Sequence, residues 1–262
     1  MEKLLSLEGI VIFWFCVARI SGLFMSMPLL GSSFLPRQVK VAFAIVLGFL
    51  VFSTSEFSQN FILPSHFFEY FLLFAGEVGV GLLIGYGVRV LFIGVQLAGQ
   101  IIGFQMGLGM AELLDLQEEV NLSVISQFKN ILAMMIFLSL NAHYFCLKAL
   151  FDSFKLIPIG KFYISAPLVK ELSNLVGSVF VISLKGGVPV ILTLFLVQIV
   201  MGVINRVIPQ VNIFMISLPL KIMIGIIVIG LSMPYFLYFL ENLFGKIYQN
   251  LTLLLVVAGG KI

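Results

Sequence analysis

The chain has 262 residues, of which 61% are hydrophobic and only 10% are charged, with a mean hydropathy of +1.17. Soluble domains are about 45–50% apolar and about 25% charged, so a water-surrounded fold is excluded and the solvent is lipid or other equally apolar subunits. The net charge of +3 is spread thinly, with no basic run suited to nucleic acid, and the two cysteines, Cys16 and Cys146, lie in apolar segments as buried small hydrophobes.

A membrane helix needs about 20 mostly apolar residues. The segments that qualify, in chain order, are Ile10–Leu30, Val39–Ser53, Phe67–Phe104, Val124–Phe151, Leu175–Ile204 and Ile213–Leu240, with a short apolar piece, Leu251–Ala258, after them. The first has the look of a signal peptide, but it is long, carries Arg19 and lacks a small-x-small cleavage site, so it is read as a retained helix. The second is short. The third exceeds a single span and is expected to bend, tilt or project from the bilayer. Pro28, Gly31, Pro36, Pro64, Pro158, Gly160 and Pro167 separate the segments, and Pro189 within "LKGGVPVI" marks a midspan kink beside Lys185. The connection "NRVIPQVN", with Asn205, Arg206, Pro209, Gln210 and Asn212, is short enough to force an antiparallel helical hairpin. The expected fold is therefore all-α and polytopic, with an N-terminal bundle over residues 1–174 and a C-terminal hairpin over residues 175–262. With six spans, Lys3, Lys155, Lys161, Lys170, Lys246 and Lys261 share one side, and Arg37 and Arg206 the other, which places both termini in the cytoplasm.

Arg19, Glu77, Arg89, Lys185 and Lys221 lie inside apolar segments. Each costs roughly 2.5–3.5 kcal/mol at a bilayer centre, and five left unpaired would consume a stability of ~5–15 kcal/mol. They must be paired, wet or outside the hydrocarbon. Glu77 and Arg89 are twelve residues apart, about 18 Å along a helix, so their partners lie on other helices or other subunits. One reading is structural ion pairing that fixes helix register; the other is a proton or solute path. Carriers usually add further acidic and polar residues at midspan, so heavy protein–protein packing is the simpler account.

The stretch "QLAGQIIGFQMGLGMAELLDLQEEVN" holds no Lys or Arg. Gly99, Gly103, Gly107 and Ala111 recur every four residues and, if helical, form a stripe that admits another backbone closely; Gly81 and Gly85 extend the habit upstream. Gln96 and Gln100 lie beside it, one turn apart. Gly107 and Gly109 weaken a helix, while Met106 and Met110 are soft and reshapeable. Glu112, Asp115, Glu118 and Glu119 then make the end acidic, and Asn121 can cap the next helix. Such a segment suits something that fits snugly in one state and is displaced in another; a flexible extracytoplasmic loop that avoids basic residues has the same composition. The chain carries no phosphate loop, no H-E-x-x-H and no G-x-S-x-G elbow, and His66 and His143 stand alone, so no metal, cofactor or enzyme chemistry is expected. A secondary transporter built on Glu77 and the intramembrane basic residues is the competing class.

Three segments resemble the FliR and type III secretion export-gate family: "RISGLFMSMPLLGSSFLPRQVK", with Lys40 where an Arg is common; "LAGQIIGFQMGLGMAELLD"; and "INRVIPQVNIFMISLPLKIMIG". Their order and spacing extend the resemblance over essentially the whole chain. One departure is Leu116 after Asp115, where the family usually has Pro; the loop is then less rigid, or continues further as helix. The resemblance implies a FliP-like N-terminal part, a FliQ-like C-terminal hairpin and a channel assembled with FliP and FliQ homologues at the flagellar basal body of the bacterial inner membrane. FlhB and FlhA homologues are further implied partners, and unfolded flagellar subunits the cargo; virulence-type injection is the alternative. It also implies that Gly103–Glu119, with Gly103, Phe104, Gln105, Met106, Gly107, Met110, Ala111 and Asp115, plugs the channel. The intramembrane charges and the hairpin turn become subunit contacts.

Overall fold

The computed structural model describes residues 7–28, 36–54, 66–109, 123–210 and 212–260. Every regular element among them is a helix: α1 (Leu7–Ser26), α2 (Arg37–Thr54), α3 (Phe67–Met106), α4 (Val124–Ser139), α5 (Ala142–Leu156), α6 (Ala166–Val207), α7 (Ile213–Leu231), α8 (Met233–Gly245) and α9 (Ile247–Ala258). Backbone groups in hydrocarbon must be satisfied within their own segment, and helices do this. Four of these helices, α1, α2, α3 and α6, are long and apolar enough to cross a membrane, and two bent pairs raise the number to six. The protein is an all-α polytopic membrane protein.

Two of the expected spans are bent. Val124–Phe151 is not one rod: it is broken at Leu140 and Asn141, between α4 and α5. Asn141, between them, has a φ of 53°, a left-handed conformation that Asn tolerates better than most residues. The last long segment likewise breaks at Ser232, where α7 and the following helices meet at 57°. Pro234 lies in the first turn of α8, where its missing N–H is not needed. The third segment, by contrast, is one 40-residue helix, about 60 Å at 1.5 Å per residue. The fifth runs for 42 residues, starting at Ala166, and stays helical through Pro189.

The chain forms two compact units, each built from discontinuous stretches. One comprises residues 1–90, 141–175 and 245–262, the other 91–140 and 176–244.

In the first unit α1 and α2 run antiparallel, with Phe13 edge-on to Phe52 and Gly48 against Val17. α1 also lies directly on the glycine face of α3. A β-carbon on Gly81 would collide with the Arg19 carbonyl, one on Gly85 with Ser26 Oγ, and one on Gly22 with the Val78 carbonyl. This is the close backbone approach that small residues permit. α9 packs along α5, where Tyr248 donates to Asp152 at 2.8 Å, and its Leu251 and Leu254 reach Gly87 of α3.

In the second unit, Phe92, Phe137 and Phe244 form a three-ring cluster with centroids 5.4–5.5 Å apart. α6 and α7 form the expected antiparallel hairpin: Gln198 meets Lys221 at 3.1 Å, while Val190 and Leu194 belong to one apolar cluster with Ile222, Val228 and Ile229. Much of α6 is uncovered, including Phe180, Leu184, Leu192, Phe195, Leu196, Val200 and Val203.

Candidate functional site

The end of α3 is where the sequence reading concentrates. In the second unit Gly99 faces the backbone of Ser126 on α4, and a β-carbon on Gly103 would strike Ser123 Oγ. Ser126 Oγ donates to the Gln96 carbonyl at 2.9 Å, which fixes the register of the two helices. The expected stripe stops there. Gly107 has left the helix with a φ of 86°, and two hydrogen bonds close the terminus: Leu108 N–H to the Gly103 carbonyl and Gly107 N–H to the Phe104 carbonyl, both 3.0 Å. This is a complete Schellman stop, with the glycine at the left-handed position where a β-carbon is disfavoured. Met110, Ala111, Asp115 and the rest of the acidic stretch to Asn121 lie outside the described residues. Ser123, not Asn121, precedes the first residue of α4, and it makes no side-chain cap bond.

Around this stop the side chains divide sharply. Met106 is fully buried with Ile102 against Val190 and Leu194 of α6, and Leu108 packs on the same cluster. Gly225 of α7 lies against Met106, and Leu218 of α7 against Gly107. Phe104 instead is 73% exposed. Among the described residues, Gln105 Oε1 and Ser123 Oγ are buried without a hydrogen-bond partner.

The intramembrane charges fall into three situations. Arg19 and Glu77 are 0% and 1% exposed and form an ion pair at 2.7 Å between α1 and α3. Arg19 Nη1 also donates to Ser153 Oγ at 3.1 Å and Nη2 to the Ile157 carbonyl at 3.0 Å, with the guanidinium 4.1 Å over the Phe154 ring. The other Glu77 oxygen accepts the Gly160 N–H at 3.0 Å. Both charges are thus fully engaged, and they tie the α5–α6 connection to α1 and α3. Arg89 and Lys185 are exposed. Lys221 is half-buried and donates to Gln198. In the hairpin turn Asn205, Arg206, Pro209, Gln210 and Asn212 are all exposed.

A further cation escaped the sequence reading. Lys129, on α4, is 4% exposed; its Nζ donates to the Gly186 carbonyl at 3.0 Å and sits 4.2 Å over the Phe236 ring. Its acceptor adjoins a defect in α6. Pro189 has no N–H, so the Lys185 carbonyl, four residues back, loses its helical donor. Tyr235 of α8 donates to that carbonyl at 2.9 Å. Lys129 and Tyr235 therefore serve two adjacent carbonyls in the turn before Pro189. Its position inside Val124–Phe151, between Phe128 and Ile131, was the signal that it is intramembrane.

Comparison with known proteins covers nearly all of these elements. The family described as "Bacterial export proteins, family 1" matches residues 10–247. The flagellar biosynthetic protein FliR of Bacillus subtilis (strain 168) is 30% identical over 244 residues, covering 92% of this chain and 93% of that protein. FliR of Aquifex aeolicus (strain VF5) is 30% identical over 249 residues, 95% of each chain. FliR of Escherichia coli (strain K12) is 28% identical over 245 residues, 94% of this chain and 93% of its own. A match that runs from within α1 to the start of α9, through the glycine-bearing α3 and the α6–α7 hairpin, settles the kinship: the chain belongs to bacterial export protein family 1, alongside the flagellar FliR proteins.

Proposed function

We propose that this chain is a non-enzymatic subunit of the flagellar protein export apparatus, in which the segment Gly103–Glu119 plugs a channel for unfolded flagellar subunits. The observation that carries the plug reading is the terminus of α3. A glycine-made stop ends α3 at Gly107, and the side-chain contacts made there by Met106 and Leu108 are apolar. Non-directional contacts of a flexible thioether can be broken and remade without orphaning a polar group. The relatives reported above are all flagellar proteins, which favours flagellar export over virulence-type injection.

The same reading assigns residues 1–174 as FliP-like and residues 175–262 as a FliQ-like hairpin. FliP and FliQ homologues complete the hetero-oligomeric channel, with FlhB and FlhA homologues nearby, at the basal body in the bacterial inner membrane. The uncovered apolar residues of α6 give such neighbours an area to cover, and the exposed turn from Asn205 to Asn212 offers them polar contacts. A solute carrier is less well supported. Its acidic residue would be Glu77, whose two oxygens are held by Arg19 and Gly160.

The test is deletion of Gly107–Glu119 in the complex purified through this chain. Idle conductance in planar bilayers should rise. Unchanged conductance removes the plug, and a preparation lacking FliP and FliQ homologues removes the assembly.

A further inference from the structure

We propose that Gly225 on α7 is the socket for Met106, and that this fit positions the point where the plug segment leaves α3. The inference rests on the plug reading and adds a positioning residue on a different helix. Leu218, Ile222, Gly225 and Ile229 follow one another at spacings of four, three and four, so they line a single face of α7. That face meets the end of α3: Leu218 lies against Gly107, and Ile222 and Ile229 pack on the cluster containing Met106. Gly225 is the notch in it. A β-carbon there would stand 2.8 Å from the Cγ, Sδ and Cε atoms of Met106 alike. Three atoms of one side chain at the same short distance mean that the methionine fills the space a larger residue would occupy.

The other glycine of α7 provides the contrast. Gly230 has nothing within 4 Å of its β-position, whereas Gly225 is buried between exposed neighbours, Met223 on one side and Ile226 and Ile227 on the other. A mid-helix glycine weakens a helix relative to alanine, and at Gly225 the close approach of Met106 is a packing reason for it. Met106 is also the last helical residue before the left-handed Gly107. Its backbone therefore adjoins the two hydrogen bonds that close the helix at Gly107 and Leu108.

The experiment is a two-residue swap in the complex purified with its partners, read as idle bilayer conductance. Gly225→Val should expel Met106, and Met106→Ala should empty the socket; each should raise idle conductance severalfold. The double variant Gly225→Val with Met106→Ala refills the space from the other side and should return conductance close to the parent value. If Gly225→Val prevents assembly, the added Met106→Ala should restore it. A leak, or an assembly defect, that Met106→Ala fails to relieve overturns the socket, as does a Gly225→Val complex that assembles and stays tight. Deleting Gly107–Glu119 is the parallel control. If that deletion leaks while Gly225→Val does not, the plug stands and the socket falls; if the deletion does not leak, the plug reading itself fails.

Discussion

Removing one side of the Arg19–Glu77 pair is the sharpest test of the first unit. Glu77→Ala deletes the acceptor of both the guanidinium and the Gly160 N–H, and leaves a charge that is 0% exposed without its counter-ion. Breaking a buried pair from one side costs ~3–5 kcal/mol. Gly160 is exposed and can find another acceptor, so the cost falls mainly on Arg19. Exchanging both residues for apolar ones, Arg19→Met with Glu77→Leu, removes the charge and keeps the volume. Such exchanges are often neutral in themselves, but the Ile157 carbonyl loses its donor, for roughly 1–3 kcal/mol. Ser153 Oγ loses little, because it still donates to the Leu150 carbonyl at 2.6 Å. The double variant should therefore be more stable than Glu77→Ala alone. The assay is unfolding of the detergent-solubilised protein with increasing SDS, followed through Trp14, the single tryptophan, which lies on α1 beside Phe13. A Glu77→Ala protein within about 1 kcal/mol of the parent, or a double variant less stable than Glu77→Ala, would refute a buried and mutually dependent pair.

The same unfolding curve checks two further expectations. Gly81→Val forces a branched side chain into the backbone of α1, which cannot rotate away, and should cost at least the ~1–3 kcal/mol of ordinary overpacking. Gly202→Ala meets nothing within 4 Å and should stabilise the isolated chain by up to about 1 kcal/mol. At the α6 break, Lys129→Met keeps the apolar stem and should be tolerated far better than Lys129→Glu. The glutamate would set a buried negative charge against the Gly186 carbonyl and the Phe236 ring face. Tyr235→Phe, which removes only the hydroxyl bound to the Lys185 carbonyl, should cost about 0.5–1.5 kcal/mol.

The helical class and the long third segment were legible because continuous apolar runs leave the backbone no other way to bond itself. The breaks were less so. Nothing in "SLNAH" resembles a helix breaker, since a left-handed Asn141 depends on the packing around it, whereas Pro234 in "LSMPYF" was a readable signal. The glycine periodicity announced close approaches and could not name the partners. Gly81 and Gly85 receive α1, while Gly99 and Gly103 receive α4. Arg19 and Glu77 were visible as charges needing partners, but 58 residues separate them and no local spacing links them. Lys129 lay inside the apolar segment Val124–Phe151, but its acceptor, the Gly186 carbonyl, is 57 residues away and no local spacing points to it. Met106 was recognised as soft, yet its seat on Gly225, 119 positions later, belongs to tertiary packing alone.

The repair at Pro189 has a bearing on biogenesis. The carbonyl that proline leaves bare belongs to Lys185, and its donor, Tyr235, is synthesised 50 residues later. During translation α6 is thus made with an open backbone acceptor whose donor in the folded chain comes from a later helix. Lateral release of α6 by itself into lipid would expose that acceptor to hydrocarbon. A chain in which α8 is already made when α6 meets lipid avoids that exposure.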